Sequence, residues 1–292
     1  MFAVEKYQKA ASVADAVGLL AADPFAVPIA GGTDILVKLR EGHRAYAHLV
    51  DIHSLEELKA ISLDPDGTLR VGAGATFTNV IESELVREAA PVLAEGASWV
   101  AGPQIRNVGT LGGNICNGSV CADSVPPLLV LDAEIELQGP QGTRRIPLRG
   151  FHTGPGKVAR GHAEIMTAVL VPKAPEAGFG AASIKYAMRQ AMDITTIGCS
   201  AAVLVRDGRF EWLRLAFSVA APTPVRCPQA EAAGAGRAVS GETVCAVQEA
   251  VGQDVRPRDS WRAPADLRLH ICRELAGRAV TKAVERAGGS IA

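Results

Sequence analysis

Long apolar runs are missing from this 292-residue sequence: none approaches the ~20 consecutive apolar residues of a bilayer-spanning helix, so no membrane-embedded segment is expected. Charge of one sign is missing as well. Thirty Lys and Arg stand against 31 Asp and Glu, a formal net charge of −1 that gives no electrostatic footprint for nucleic acid. Aromatic residues, at 4%, leave few platforms for stacking bases. The opening "MFAVEKYQKA" has acidic and polar groups where a secretory leader would have a basic stub and an apolar core, so a cytoplasmic protein is expected. Tracts of low complexity and repeats of solenoid period are absent.

Cysteine is sparse. There are six, and without a leader they read as reduced thiols rather than a disulfide framework. Cys116 and Cys121 form the one close pair; no second Cys or His pair follows to complete a zinc site, and an iron–sulfur cluster would need four suitably spaced thiolates, so no metal is expected here. His43, His48 and His53 recur at intervals of five, which does not stack side chains on one helix face. No G-x-S-x-G elbow is present, "GAGATF" lacks the third glycine of a dinucleotide fingerprint, and "GPGKVA" lacks the phosphate-loop pattern.

What is present, at 48% hydrophobic and 21% charged residues, is a globular chain of about two packed units. "SVADAVGLLAAD" predicts a helix, with Ser12 and Asp15 as a capping box and Val13, Ala16, Val17 and Leu20 on one face. "VPIAGGTDILVKLR" reads as strand, glycine turn and helix, the order that anion sites use. "HLVDI" is a strand and Ser54 to Lys59 a short capped helix, closing a first α/β unit near residue 60. "DPDGTLRVGAGATFTNV" gives a turn, a strand and a helix opening, and helical sequence continues to Ala101 with Pro91 dividing it. "AEIELQG", "RRIPL" and "EIMTAVLVP" have strand character, and "PKAPEAGFGA" reads as a linker after a second unit that ends around Pro172. Beyond it, two apolar runs meet at Asp207-Gly208, a hairpin dipeptide, and a C-terminal helix carries Leu267, Ile271, Leu275 and Ala279 at helical spacing.

The chemistry is expected in two glycine loops. "AGGTD" by itself is modest, since a Gly-Gly step is ordinarily just a turn. "TLGGNICNGSVCAD" adds to it: residues without Cβ let backbone N–H groups approach a ligand, Thr110, Asn114 and Asn117 offer hydrogen bonds to phosphate or ribose, and Asp123 can accept from a hydroxyl. Neither loop carries a lysine or arginine, so a diphosphate would rest mainly on neutral donors, as suits a resident cofactor rather than a triphosphate undergoing transfer.

"PIAGGTDILVKL" followed by "AGPQIRNVGTLGGNICNGSVCADSVPPLLVLDA" closely resembles the FAD-binding subunits of the molybdenum hydroxylases, within the xanthine dehydrogenase group, and the likeness continues through "GFHTGPGKV", "KYAMRQAMDI" and "RLAFSVAAPTPVRC" over essentially the whole chain. The resemblance implies an α+β fold: an FAD-binding domain of the vanillyl-alcohol-oxidase type built of two α/β subdomains, residues 1–60 and 61–175. A C-terminal α+β domain, 181–292, would carry a three-stranded antiparallel sheet and helices, like the C-terminal domain of CO dehydrogenase flavoproteins. It implies FAD contacts at Pro28, Ile29, Ala30, Gly31, Gly32, Thr33, Asp34 and Ile35 in the first loop, and at Thr110, Gly113, Asn114, Cys116, Asn117 and Asp123 in the second. Met166 and Lys185 follow, with Lys185 as the catalytic cation beside the flavin. Val100 departs from relatives that place an aromatic residue over the ring.

By the same resemblance the partners would be a molybdopterin-binding large subunit and a [2Fe–2S] small subunit, in a heterotrimer that can dimerise, with no nucleic acid and no membrane. Electrons would pass from the partner's clusters to FAD and on to NAD, and substrate hydroxylation would not belong to this chain. The rivals are the subunit of an aldehyde or CO dehydrogenase, a self-sufficient FAD oxidoreductase, with Cys116 open as a covalent flavin anchor, and a scaffold subunit without cofactor.

Overall fold

The computed structural model describes residues 4–175 and 177–291. Met1, Phe2 and Ala3 of the opening stretch, Glu176 of the expected linker and the final Ala292 lie outside the described residues.

A three-stranded parallel sheet, in the order Lys6–Lys9, His48–Asp51, Ala26–Ile29, organises the first unit. Its helix, Val13–Ala22, buries Val13, Ala16, Val17 and Leu20, the face expected from their spacing. Burying each larger side chain is worth roughly 1.5–3 kcal/mol. The Ser12 hydroxyl accepts from the Asp15 N–H at 3.0 Å, whereas the Asp15 carboxylate takes the N–H of Ala11 rather than that of Ser12. The expected capped helix at Ser54–Lys59 is instead a single 3₁₀ turn, Glu56–Leu58, with no side-chain cap. Leu55 and Leu58 are both buried, and their three-residue interval suits a 3₁₀ repeat.

The second unit is a five-stranded antiparallel sheet, ordered Ile61–Leu63, Leu69–Gly72, Ile165–Val171, Glu134–Gly139, Gly142–Pro147. Helices from Phe77 to Val130 cover it. The helical stretch breaks at Pro91 as expected, and also at Ser83, which closes Phe77–Glu82 and caps Glu84–Ala89 through its hydroxyl. Thr76 and Asn79 form a reciprocal capping box at the start of the first.

The third unit begins earlier than its linker reading allowed: Phe179–Tyr186 is already a strand, so "GFGA" belongs partly to the sheet. That strand pairs with Ile197–Arg206, which forms a hairpin with Arg209–Ser218 through Asp207 and Gly208, at φ of 49° and 70° as a type I′ turn requires. A fourth strand of two residues, Val225–Arg226, extends the expected three. The helix Ala265–Arg286 lies against this sheet, and Gly241–Asp254 packs on that helix and on the short helix Pro228–Gly234. Ile271, Leu275 and Ala279 are buried there, but Leu267, in the first turn, is exposed.

Glu95, on the helix Pro91–Ser98, ties the second and third units together. It accepts from the Ser183 N–H at 2.9 Å, from Lys282 at 2.7 Å and from Arg286 at 2.8 Å.

Candidate functional site

The first glycine loop leaves the strand Ala26–Ile29 and turns into the helix Ile35–Arg40; the second opens the helix Leu111–Cys116, with Thr110 as N-cap. The loops touch because of glycine. A Cβ on Gly31 would lie 1.8 Å from the Val108 carbonyl oxygen, and one on Gly112 would lie 2.5 Å from the Ala73 Cβ. One glycine of each pair therefore also serves contact between protein segments, and all four line the wall of a cleft. Among the described residues, the backbone N–H groups of Gly31, Gly32, Thr33, Asp34 and Ile35 find no acceptor. Five successive open donors beside a cleft form a natural cradle for phosphate oxygens.

The cleft has a volume of about 490 Å³ and runs between the first and second units. Its wall brings together Pro28, Ile29, Ala30, Gly31, Gly32, Thr33, Asp34 and Ile35 with Val100, Thr110, Gly113, Asn114, Cys116, Asn117 and Met166. Several polar groups are already partly engaged. Thr110 accepts from the Gly113 N–H, Asn114 Oδ1 accepts from Ser124, and Asn117 Oδ1 accepts from Lys38. The two amides keep their NH₂ groups free to donate. Burial pushes the Cys116 thiol up to about 11, with Arg160 pulling weakly the other way, so at neutral pH it is a thiol and a poor nucleophile.

Two expected contacts stand outside this wall. Lys185 Nζ is 2.8 Å from Asp123 Oδ2 and 2.9 Å from the Trp99 carbonyl, and Thr195 donates to the other Asp123 oxygen. Both ionic side chains are about nine-tenths buried. Burial pushes the Asp123 carboxyl up, and Lys185 and Thr195 oppose it. Through the Trp99 carbonyl the pair holds the chain just ahead of Val100 and Ala101, which line the cleft, Ala101 with a φ of 41° that is unusual for a residue with a side chain.

Sequence reasoning missed four lining side chains of consequence: Lys38, Tyr46, His53 and Arg160. The expectation of a cradle without cations is corrected by two of them. Lys38 Nζ is 2.8 Å from Asn117 Oδ1 and lies 4.9 Å from the Tyr46 ring centroid; Arg160 uses Nη1 on the carbonyls of Gly161, His162 and Glu164. Lys38 was within reach of the sequence, since it follows Ile35 by three residues and one helical turn returns it to the loop. Arg160 and Tyr46 arrive from distant segments and carry no local signal.

Open backbone donors, two cations and an apolar stretch toward Met166 suit a dinucleotide such as FAD, with its diphosphate at the donors. Residues 2–174 match the family described as the FAD binding domain in molybdopterin dehydrogenase, and residues 182–283 match the CO dehydrogenase flavoprotein C-terminal domain. The chain belongs to the FAD-binding subunits of the molybdopterin dehydrogenases. Within that family it is 49% identical over 291 residues to a xanthine dehydrogenase FAD-binding subunit of Escherichia coli, covering 100% of both chains. It is 30% identical to a carbon monoxide dehydrogenase medium chain of Hydrogenophaga pseudoflava, covering 96% of this chain and 97% of that one. A solved carbon monoxide dehydrogenase from the same organism superposes with a TM-score of 0.94 at 31% identity, over 98% of this chain and 99% of its own. A family member of this kind is an oxidoreductase subunit with an FAD-binding domain and a C-terminal domain of mixed helix and antiparallel sheet. No helix among the described residues is long and apolar enough to cross a membrane.

Proposed function

We propose that this chain is the FAD-bearing electron-transfer subunit of a xanthine dehydrogenase, receiving electrons from the [2Fe–2S] clusters of a partner subunit and passing them to NAD. The observation that carries the reading is the full-length likeness to a xanthine dehydrogenase FAD-binding subunit at 49% identity, against 30–34% for carbon monoxide and nicotinate relatives. FAD, when bound, accepts electrons singly and yields them as a pair, which is what a link between clusters and a nicotinamide requires.

The chain's own residues have three tasks in this reading. The N–H groups of Gly31 to Ile35 hold the diphosphate, with Lys38 and Arg160 supplying positive charge. Asn114 and Asn117 donate through their free amide groups. Lys185 is a positioning residue: it fixes the Trp99 carbonyl, and with it the turn that presents Val100 to the cleft. The molybdopterin and the clusters belong to a large and a small partner subunit in a heterotrimer, and the chain works in the cytoplasm.

Purification decides the reading in two stages. The chain is expected to carry or take up FAD and show a flavin spectrum; a colourless protein that FAD does not stain ends the proposal. In the complex, NADH added without oxygen is expected to bleach that spectrum. Flavin that stays oxidised removes NAD as the acceptor, and absence of xanthine-dependent bleaching removes xanthine as the substrate.

A further inference from the structure

Four arginines crowd the segment between the last two helices and the first turn of the second: Arg256, Arg258, Arg262 and Arg268. Among the described residues none of them forms an ion pair. Arg256 is accounted for, because its guanidinium donates to the carbonyls of Gly252, Gln253 and Val255 and so closes the end of Gly241–Asp254. The other three are not matched by negative charge. Arg268 is 2% exposed and has only neutral acceptors, the carbonyls of Thr196 and Ala263 and the Ser260 hydroxyl. Burial pushes its guanidinium down, and Arg258 and Arg262 push in the same direction.

Among the described residues the neighbouring carboxylates form no ion pair with these arginines and instead accept from backbone. Asp259 accepts from the Ala265 N–H at 2.7 Å, Asp266 from the Leu267 N–H at 2.8 Å, and Asp254 from the N–H groups of Gln229 and Ala230. Arg262 Nε is buried with no hydrogen-bond partner, and its guanidinium lies 4.2 Å from the ring of Trp261. Trp261 is itself 77% exposed, the most exposed large hydrophobic side chain among the described residues. Guanidinium groups without an ion pair, an unfilled buried donor and an indole plate turned to solvent thus share one short stretch.

We propose that the Arg258–Arg262 stretch, anchored by Trp261, is a docking surface for a carboxylate-bearing segment of a partner subunit. The proposal rests on the reading of this chain as one subunit of a complex. Charge complementarity selects the partner's chemistry: carboxylates answer guanidinium groups in a paired, planar geometry. The tryptophan selects a polypeptide over a small anion, since a phosphate or sulfate would leave the indole exposed, whereas Trp and Arg together dominate protein interfaces. A net charge of −1 over the chain argues against a polyanion such as nucleic acid.

The test uses the complex formed by co-expressing the chain with its molybdopterin and [2Fe–2S] subunits. Trp261→Ala and the double variant R258E/R262E are expected to weaken subunit association by about tenfold or more, read by size-exclusion chromatography across a salt series. R258K/R262K is expected to keep most of the association, and FAD content is expected to stay at the wild-type level throughout. Variants that assemble with wild-type affinity overturn the proposal. So does binding of inorganic phosphate that R258E/R262E abolishes while assembly is untouched, which makes this a small-anion site. Should the charge reversal lower the melting temperature of the isolated chain, Trp261→Ala decides alone, because an indole so exposed has little part in the core. A wild-type chain that binds FAD but joins no partner overturns the subunit reading together with this one; altered assembly with FAD retained supports both.

Discussion

At the scale of single residues, the buried pair Lys185 and Asp123 is the most exacting feature of the molecule. Removing one partner of a buried ion pair strands the other, at a cost of about 3–5 kcal/mol. Lys185→Met is therefore expected to lose stability of that order, read as a fall in the urea midpoint, and Asp123→Asn to lose less, since Asn still accepts from Thr195. The double variant is expected to recover part of the loss, and additive losses in the cycle would deny the coupling. Lys38 belongs to a different class, because its ammonium faces the cleft. Lys38→Met is expected to weaken FAD binding by about 1.5–3 kcal/mol, roughly ten- to a hundredfold in Kd, while riboflavin, which has no phosphate, binds unchanged. Fluorescence titration separates the two ligands; equal loss for both would take Lys38 off the phosphates. The site's legibility follows the same division. Gly31, Gly32, Gly113, Asn114 and Asn117 could be read because loop chemistry is local. Arg160 could not, because only the folded chain brings it to a loop more than forty residues away. Lys185 could be named, but its burial against Asp123 is a tertiary fact that no spacing announces.

At the scale of elements, glycine separates two kinds of position. Gly18 lies in the exposed middle of Val13–Ala22, and a Cβ there would meet nothing within 4 Å. Gly18→Ala is expected to stabilise the protein by roughly 0.5–1 kcal/mol, through the unfolded chain's smaller freedom. Gly31→Ala drives a methyl into the Val108 carbonyl, and is expected to cost about 1–3 kcal/mol and to impair FAD uptake by parting the two loops. Thermal unfolding and FAD titration of both variants check the contrast; a Gly31→Ala protein that binds FAD normally would show that the loops need not touch. The same contrast explains which elements were legible. The hairpin at Asp207-Gly208 and the face of Val13–Ala22 were encoded in neighbouring residues, and both formed as read. The break at Ser83, the 3₁₀ turn at Glu56–Leu58 and the short strand Val225–Arg226 depend on what packs against them, and local pattern did not hold that information.

At the scale of the whole molecule, the flavin-binding part and the C-terminal domain meet through several carboxylates: Asp123 holds Lys185, Asp132 holds Arg214 and Arg226, and Glu95 gathers the most partners from the C-terminal domain. Glu95 receives Lys282, Arg286 and the Ser183 N–H, and although burial opposes it, these partners hold its carboxyl below the usual glutamate range. The direction of the pH effect follows from linkage. In the unfolded chain Glu95 titrates near the ordinary value of about 4.5, and in the folded chain it gives up its charge only at lower pH. Its stabilising contribution is thus complete above the unfolded value and is lost as pH falls from there through the depressed folded value. Glu95→Ala is expected to cost about 1–3 kcal/mol at neutral pH, toward the lower end because Lys282 and Arg286 are partly solvated. The cost is expected to shrink as the wild type itself loses the charge at acid pH. Calorimetry from pH 7 downward reads both curves, which should converge below the ordinary glutamate value. Parallel curves over that range would mean that the junction is held by its other contacts, the Asp132 and Asp123 ion pairs and the packing of the helices Pro91–Ser98 and Val125–Val130 on the C-terminal sheet, with Glu95 a bystander.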